Sequence, residues 1–147
     1  MSSAPPFGTQ LIGQTEKALN AILVRQLAGT GLTEPQWVTL TLAVMSGGTI
    51  DYAPYLRRVA DALKLSDTEA RAGIDELATA QLLKLPEDDS SLVSVTDAGS
   101  HLHAQIRTGI TEITQRLWGD LPADDLATAG RVLGTVLERA NAELAGS

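Results

Sequence analysis

Five cations between residues 51 and 96, Arg57, Arg58, Lys64, Arg71 and Lys84, are the side chains of this chain best suited to chemistry at a polyanion. Guanidinium and ammonium groups neutralise phosphates, and an arginine can also fork onto guanine O6 and N7 in a major groove. Arg71 follows Ser66-Asp67-Thr68-Glu69, a capping box that opens a helix. Helical spacing turns Ala70, Ile74, Leu77 and Ala78 inward and leaves Thr68, Glu69, Arg71, Ala72 and Asp75 outward. Thr68 can then touch a base methyl or a phosphate, and Glu69 can accept from cytosine N4 or, the favoured reading, serve its own cap. For Arg71 the bland alternative is a solvated helix charge paired with Asp67 or Asp75. Arg57 and Arg58 begin the preceding helix, which would cross a nucleic-acid backbone; as neighbours they point in different directions.

Other chemistry finds no support. There is no cysteine, so disulfides, thiol redox sensing and thiolate metal sites are excluded. His101 and His103 lie two apart, about 200° around a helix, which does not make a metal pair. No HExxH motif, no Gly-rich phosphate loop and no histidine with a carboxylate at helical spacing is present. The expectation is a protein with no catalytic residues, no metal and no cofactor.

The charge is not that of a simple polyanion binder. The net charge is −7, and residues 51–96 are the most acidic third, with nine carboxylates against the five cations. Three of the acids sit together in Pro86-Glu87-Asp88-Asp89-Ser90-Ser91. A carboxylate held about 6 Å from a phosphate in bulk-water dielectric costs roughly 0.7 kcal/mol before screening. The N-terminus lacks the basic and apolar regions of a signal peptide and no apolar run approaches a membrane span, so a cytoplasmic protein with no membrane contact is expected.

The elements that would position these residues are mostly helical. Leu11, Ile12, Leu19, Ile22, Leu23 and Leu27 predict a first helix over 10–28, stopped at Gly29-Thr30-Gly31. Thr33-Glu34-Pro35-Gln36 is a capping box for a second helix over 34–45. A third spans 51–65, with Leu56, Val59, Ala60 and Leu63 on one face, and only a short turn separates it from the helix opened at Ser66. Leu82–Leu85 and Leu92–Thr96, flanking the acidic turn, predict a hairpin of two strands. From Asp97 a long helix carries Leu102, Ile106, Ile110, Ile113 and Leu117, and after Leu121-Pro122 a last helix carries Leu126, Leu133, Leu137, Ala140 and Leu144. The order helix, helix, β-wing is a winged helix-turn-helix, mostly α with a small β-wing. The apolar stripes at the two ends of the chain need a partner surface, which a two-fold dimer supplies.

Four stretches give this pattern a family likeness. Gly31-Leu32-Thr33-Glu34-Pro35-Gln36-Trp37, Val59-Ala60-Asp61-Ala62-Leu63-Lys64-Leu65-Ser66, Leu77-Ala78-Thr79-Ala80-Gln81-Leu82-Leu83 and Val93-Ser94-Val95-Thr96-Asp97-Ala98-Gly99 resemble, in order and spacing, the MarR (multiple antibiotic resistance regulator) family of winged-helix transcription factors. Four positions depart from it: Gln81 replaces the usual glycine of the helix exit, Leu85 stands where a basic residue is common, and Asp89-Ser90 occupy the places of the wing arginines. The resemblance implies one domain over 1–147, with 33–96 as the winged helix-turn-helix and 10–32 and 97–147 as dimerisation helices.

It further implies a homodimer that sets a recognition helix into each major groove of a pseudo-palindromic double-stranded DNA operator. Thr68, Glu69, Arg71, Ala72, Arg57, Arg58, Lys64 and Lys84 would make the contacts. A small aromatic effector would bind near Trp37, Tyr52 and Tyr55, side chains for which core packing is the competing role. The expected function is transcriptional regulation, with repression relieved by the effector. The rival reading is a small-molecule or protein-binding module of the same fold with weakened or lost DNA reading, favoured by the acidic wing; an acidic partner-titrating protein is the third.

Overall fold

The structure, a computed structural model, describes residues 4–146. Residues 1–3 and 147, the extreme ends of the expected domain, lie outside it. Six helices and three strands follow in the order α1 Thr9–Leu27, α2 Glu34–Met45, β1 Thr49–Asp51, α3 Tyr52–Leu63, α4 Asp67–Thr79, β2 Leu83–Lys84, β3 Leu92–Val95, α5 Asp97–Trp118 and α6 Ala123–Gly146. The chain divides into two compact units, the first ending at Ile110 and the second beginning at Thr111, so the boundary falls inside α5.

Both expected capping boxes form. Thr33 Oγ1 accepts from the Gln36 N–H at 3.3 Å while Gln36 Oε1 accepts from the Thr33 N–H at 2.9 Å. Ser66 and Glu69 repeat the exchange at 3.1 Å in both directions. Each box satisfies donors that a helix start leaves without partners, which is why α2 and α4 begin where the sequence indicated.

The core of the first unit is built from α2, α3, α4 and the sheet, with Leu40, Tyr55, Val59, Ala70, Ile74, Leu77 and Val93 fully buried. Tyr55 is the largest of them, and its hydroxyl donates to the Thr39 carbonyl at 2.6 Å. Burial pushes its phenol above the usual tyrosine range, so it stays a neutral donor.

Two expectations are corrected. The expected β2–β3 hairpin forms, with Leu83 opposite Val95 and Lys84 opposite Ser94, but the sheet gains a third strand, in the order β1-β3-β2: β1 pairs antiparallel with β3 through Thr49 with Ser94, Ile50 with Val93 and Asp51 with Leu92. The third helix is consequently shorter than 51–65, because Asp51 belongs to β1 and Lys64 turns left-handed at φ 56°. A three-residue strand shows no alternation to read, and its partner lies far along the chain.

The exit of α4 is closed by a Schellman motif. Leu82 N–H reaches the Leu77 carbonyl at 3.0 Å and Gln81 N–H the Ala78 carbonyl at 2.9 Å, with Gln81 at φ 66°. The glycine usual at this place in the family answers that backbone demand. Next to it, Thr96 joins α4 to α5: its N–H donates to the Leu82 carbonyl at 3.1 Å, its Oγ1 donates to the Gln81 carbonyl at 2.7 Å, and that same oxygen accepts from the Gly99 N–H at 2.9 Å. A Cβ on Gly99 would overlap the Leu82 carbonyl oxygen and press on Val95 Cγ1 at 3.0 Å.

Two substitutions separate these glycine-type demands. Gln81→Gly relieves the left-handed strain and should raise stability by about 1 kcal/mol. Gly99→Ala should lower it by about 2 kcal/mol, although alanine is the better helix former, because the added methyl meets backbone. Urea unfolding of both variants checks the opposite signs.

Candidate nucleic-acid interface

The turn Lys64-Leu65-Ser66 joins α3 to α4, and it is short because two devices share it. Lys64 ends α3 in the left-handed region, with Leu65 N–H on the Ala60 carbonyl at 2.9 Å, and Ser66 immediately caps α4. On α4, Ala70, Ile74 and Leu77 are buried, whereas Thr68, Glu69, Arg71, Ala72 and Asp75 are exposed, as the spacing indicated. Glu69 has one carboxylate oxygen engaged by the Ser66 N–H, so capping is the role the geometry gives it.

The five cations differ in how far they are committed. Among the described residues Arg71 makes no ion pair within 4 Å, with Asp67, Asp75 or any other acid; Arg57 makes none either. Arg58 Nη1 donates to Ser46 Oγ at 3.0 Å, which ties it to the end of α2. Lys64 lies 3.6 Å from Asp61, and Lys84, on β2, lies 3.8 Å from Glu87. All four of those side chains are well exposed, and such pairs contribute little and exchange readily for other anions.

The wing between β2 and β3 is acidic and internally ordered. Ser90 N–H reaches the Glu87 carbonyl at 3.0 Å across a tight turn with Asp88 at φ 54°. At its base Ser91 Oγ donates to Asp51 Oδ1 at 2.7 Å, and the Tyr52 N–H donates to the Ser91 carbonyl at 2.9 Å. The exposed tip therefore offers carboxylates where a groove-inserting wing needs cations.

The aromatic residues are mainly structural. Trp37 is buried and stacks on His103, with ring centroids 4.6 Å apart and planes 13° apart. Tyr55 is buried in the core, Tyr52 is half-buried, and Trp118 in the second unit is exposed. A cavity between α2, α3 and α4 is lined by none of Trp37, Tyr52 and Tyr55. His103, read from its spacing to His101 alone, is the residue the sequence underrated: it is 5% exposed, and its Nε2 shares a 3.2 Å hydrogen bond with Thr41 Oγ1. The available signal was its place three residues before Ile106 on the buried stripe of α5.

No family model matches this sequence, and no curated protein matches it. Solved structures do match. A MarR family transcriptional regulator from Silicibacter pomeroyi superposes with TM-score 0.76 at 21% identity, covering 91% of this chain and 89% of that one. CouR from Rhodococcus jostii, solved with p-coumaroyl-CoA, gives 0.73 at 19% identity over 86% and 88%. NadR, solved with 4-hydroxyphenylacetate, gives 0.72 at 18% identity over 92% and 97%.

The fold is of MarR type.

In a MarR-type fold α3 and α4 form the helix-turn-helix and the β2–β3 hairpin is the wing, which leaves the outer face of α4 exposed. None of the described helices is long and apolar enough to cross a membrane.

His103 also sets a pH limit on this MarR-type core. Burial, and then the positive charge of Arg107 one turn along α5, hold its pKa below the ordinary 6.5. The unfolded chain takes up this proton near pH 6.5 and the folded chain resists it, so this contribution to stability is complete above pH 6.5 and is lost as pH falls below it. His103→Phe keeps a ring against Trp37 without the titration. Urea midpoints at pH about 7.5 and about 5.5 should fall less between the two conditions in this variant than in the parent protein.

Proposed function

We propose that this protein is a dimeric, DNA-binding transcriptional regulator of MarR type, a repressor modulated by a small-molecule effector. The observation that carries the reading is the outward face of α4, where Thr68, Ala72 and an Arg71 without an ion-pair partner among the described residues stand exposed behind a doubly satisfied cap. Arg71 supplies the base contact, while Arg57, Arg58, Lys64 and Lys84 contact phosphates and fix register without reading sequence. Two copies bring ten cations to the duplex, enough for affinity that falls steeply with salt.

The dimer is supported by exposed apolar surface on each unit taken separately. On α1 only Leu27 is buried, and Leu19 and Val24 are exposed. On α6 no residue is buried, and Val132, Leu133, Val136 and Leu137 are exposed. A two-fold partner would cover such stripes and set two α4 helices about one DNA turn apart, as a pseudo-palindrome requires. The effector class is suggested by what CouR and NadR hold, p-coumaroyl-CoA and 4-hydroxyphenylacetate. Trp37, Tyr52 and Tyr55 are the candidate contacts, with Tyr52 the least enclosed. The acidic wing favours the second reading, a ligand- or protein-binding module of this fold that has lost sequence-specific DNA reading.

Selection from a random duplex library at about 100 mM salt separates the two readings. The regulator enriches a pseudo-palindromic site, and Arg71→Ala lowers affinity for that site by about 1–3 kcal/mol while the dimer persists. Failure to enrich any site, from protein shown to be a folded dimer, supports the second reading.

A further inference from the structure

The cavity between α2, α3 and α4 has a volume of about 210 Å³ and belongs to none of the roles assigned above. Pro35 of α2, Val59 and Leu63 of α3, and Leu65 and Ala70 beyond them give it apolar walls. It exists partly because residue 73, in the middle of α4, is glycine. A Cβ there would stand 3.9 Å from Thr39 Oγ1, an ordinary contact, so alanine would fit and would favour the helix. The glycine leaves the space open.

The polar groups around the cavity are mostly acceptors. Thr39 is 1% exposed and its hydroxyl donates to the Pro35 carbonyl at 2.7 Å, which leaves its oxygen able to accept. Glu69 and Glu76 line the more open side, and no lysine, arginine or histidine lines the cavity. Glu76 Oε2 accepts from Gln36 Nε2 at 2.7 Å and Glu69 Oε1 from the Ser66 N–H, so each carboxylate is held in place with further acceptor capacity. The N-terminal ends of α2 and α4 are close by and oppose this charge, but each amounts to about half an elementary charge against a full one on each carboxylate. Their caps are also already closed by Thr33 and Ser66.

We propose that this cavity binds a small organic cation, a primary ammonium on a compact apolar body. The apolar part packs between α3 and α4 over Gly73, and the ammonium turns to the side lined by Glu69 and Glu76, which stand two turns apart on α4, and donates to one of these carboxylates. By scale with an apolar cavity of about 150 Å³ that accepts benzene, the occupant has roughly eight non-hydrogen atoms.

The test needs no DNA and so stands independent of the proposed function. The full-length protein is titrated with benzylammonium, with neutral benzyl alcohol and with benzoate, following backbone amide NMR shifts. Benzylammonium should bind tightest and benzoate weakest, with shifts centred on Thr39 and Gly73. In the double variant Glu69→Gln with Glu76→Gln, the capping box and the Gln36 contact retain a carbonyl acceptor. Affinity for benzylammonium should drop at least about tenfold there, with benzyl alcohol little changed. Gly73→Ala, which narrows the cavity without straining the helix, should weaken both. The proposal is overturned if benzoate binds as well as benzylammonium, if the double variant keeps its affinity, if the shifts centre elsewhere, or if benzylammonium does not bind.

Discussion

The placement of the exposed face of α4 depends on one carbonyl. Leu82 sits at the end of α4, and its oxygen accepts from Thr96 while Gly99 passes close enough that no side chain fits there. The N–H of the same residue closes the Schellman motif on Leu77. One peptide neighbourhood thus fixes where α4 stops, where β3 ends and where α5 starts. Ile74 and Leu77 then hold the inner face of α4 in the core, which leaves Arg71 no freedom to be anything but outward.

The electrostatics run on two scales. The whole chain is acidic, and that governs solubility and long-range repulsion from a polyanion; contact affinity depends on what lies within a Debye length of the surface touched. Within that range α4 offers Arg71, which has no ion pair among the described residues, and the wing offers three carboxylates. Under the proposed regulatory role, this balance favours major-groove contact over minor-groove insertion.

Legibility followed the range of the interactions. Helices were readable because their signals are local: Thr33, Pro35 and Gln36 fix the start of α2, and Ser66 with Glu69 fixes that of α4, within one turn. The burial of Ala70 and the exposure of Arg71 followed from spacing alone. β1 was invisible because its three residues acquire strand geometry only from β3. The environment of His103 depends on Trp37 and Thr41, three helices back in sequence on α2, and the open space over Gly73 depends on three helices meeting. For Gln81 the sequence offered the reverse lesson: the departure from glycine was legible, and the left-handed backbone it must adopt became apparent only in three dimensions.

The β1–β3 ladder also bears on how the molecule assembles. Pairing Thr49 with Ser94 closes a loop of about 45 residues that contains both α3 and α4. Closing such a loop from an open chain costs roughly 3 kcal/mol beyond a constant, more than three short pairs return, whereas folded α3 and α4 bring its ends together beforehand. The β1–β3 ladder is therefore a late-forming element and a reporter on the rest. Slow exchange of the Ile50 and Val93 amides requires the whole helix-turn-helix to be in place, and a chain whose third and fourth helices loosen would lose its sheet in the same step.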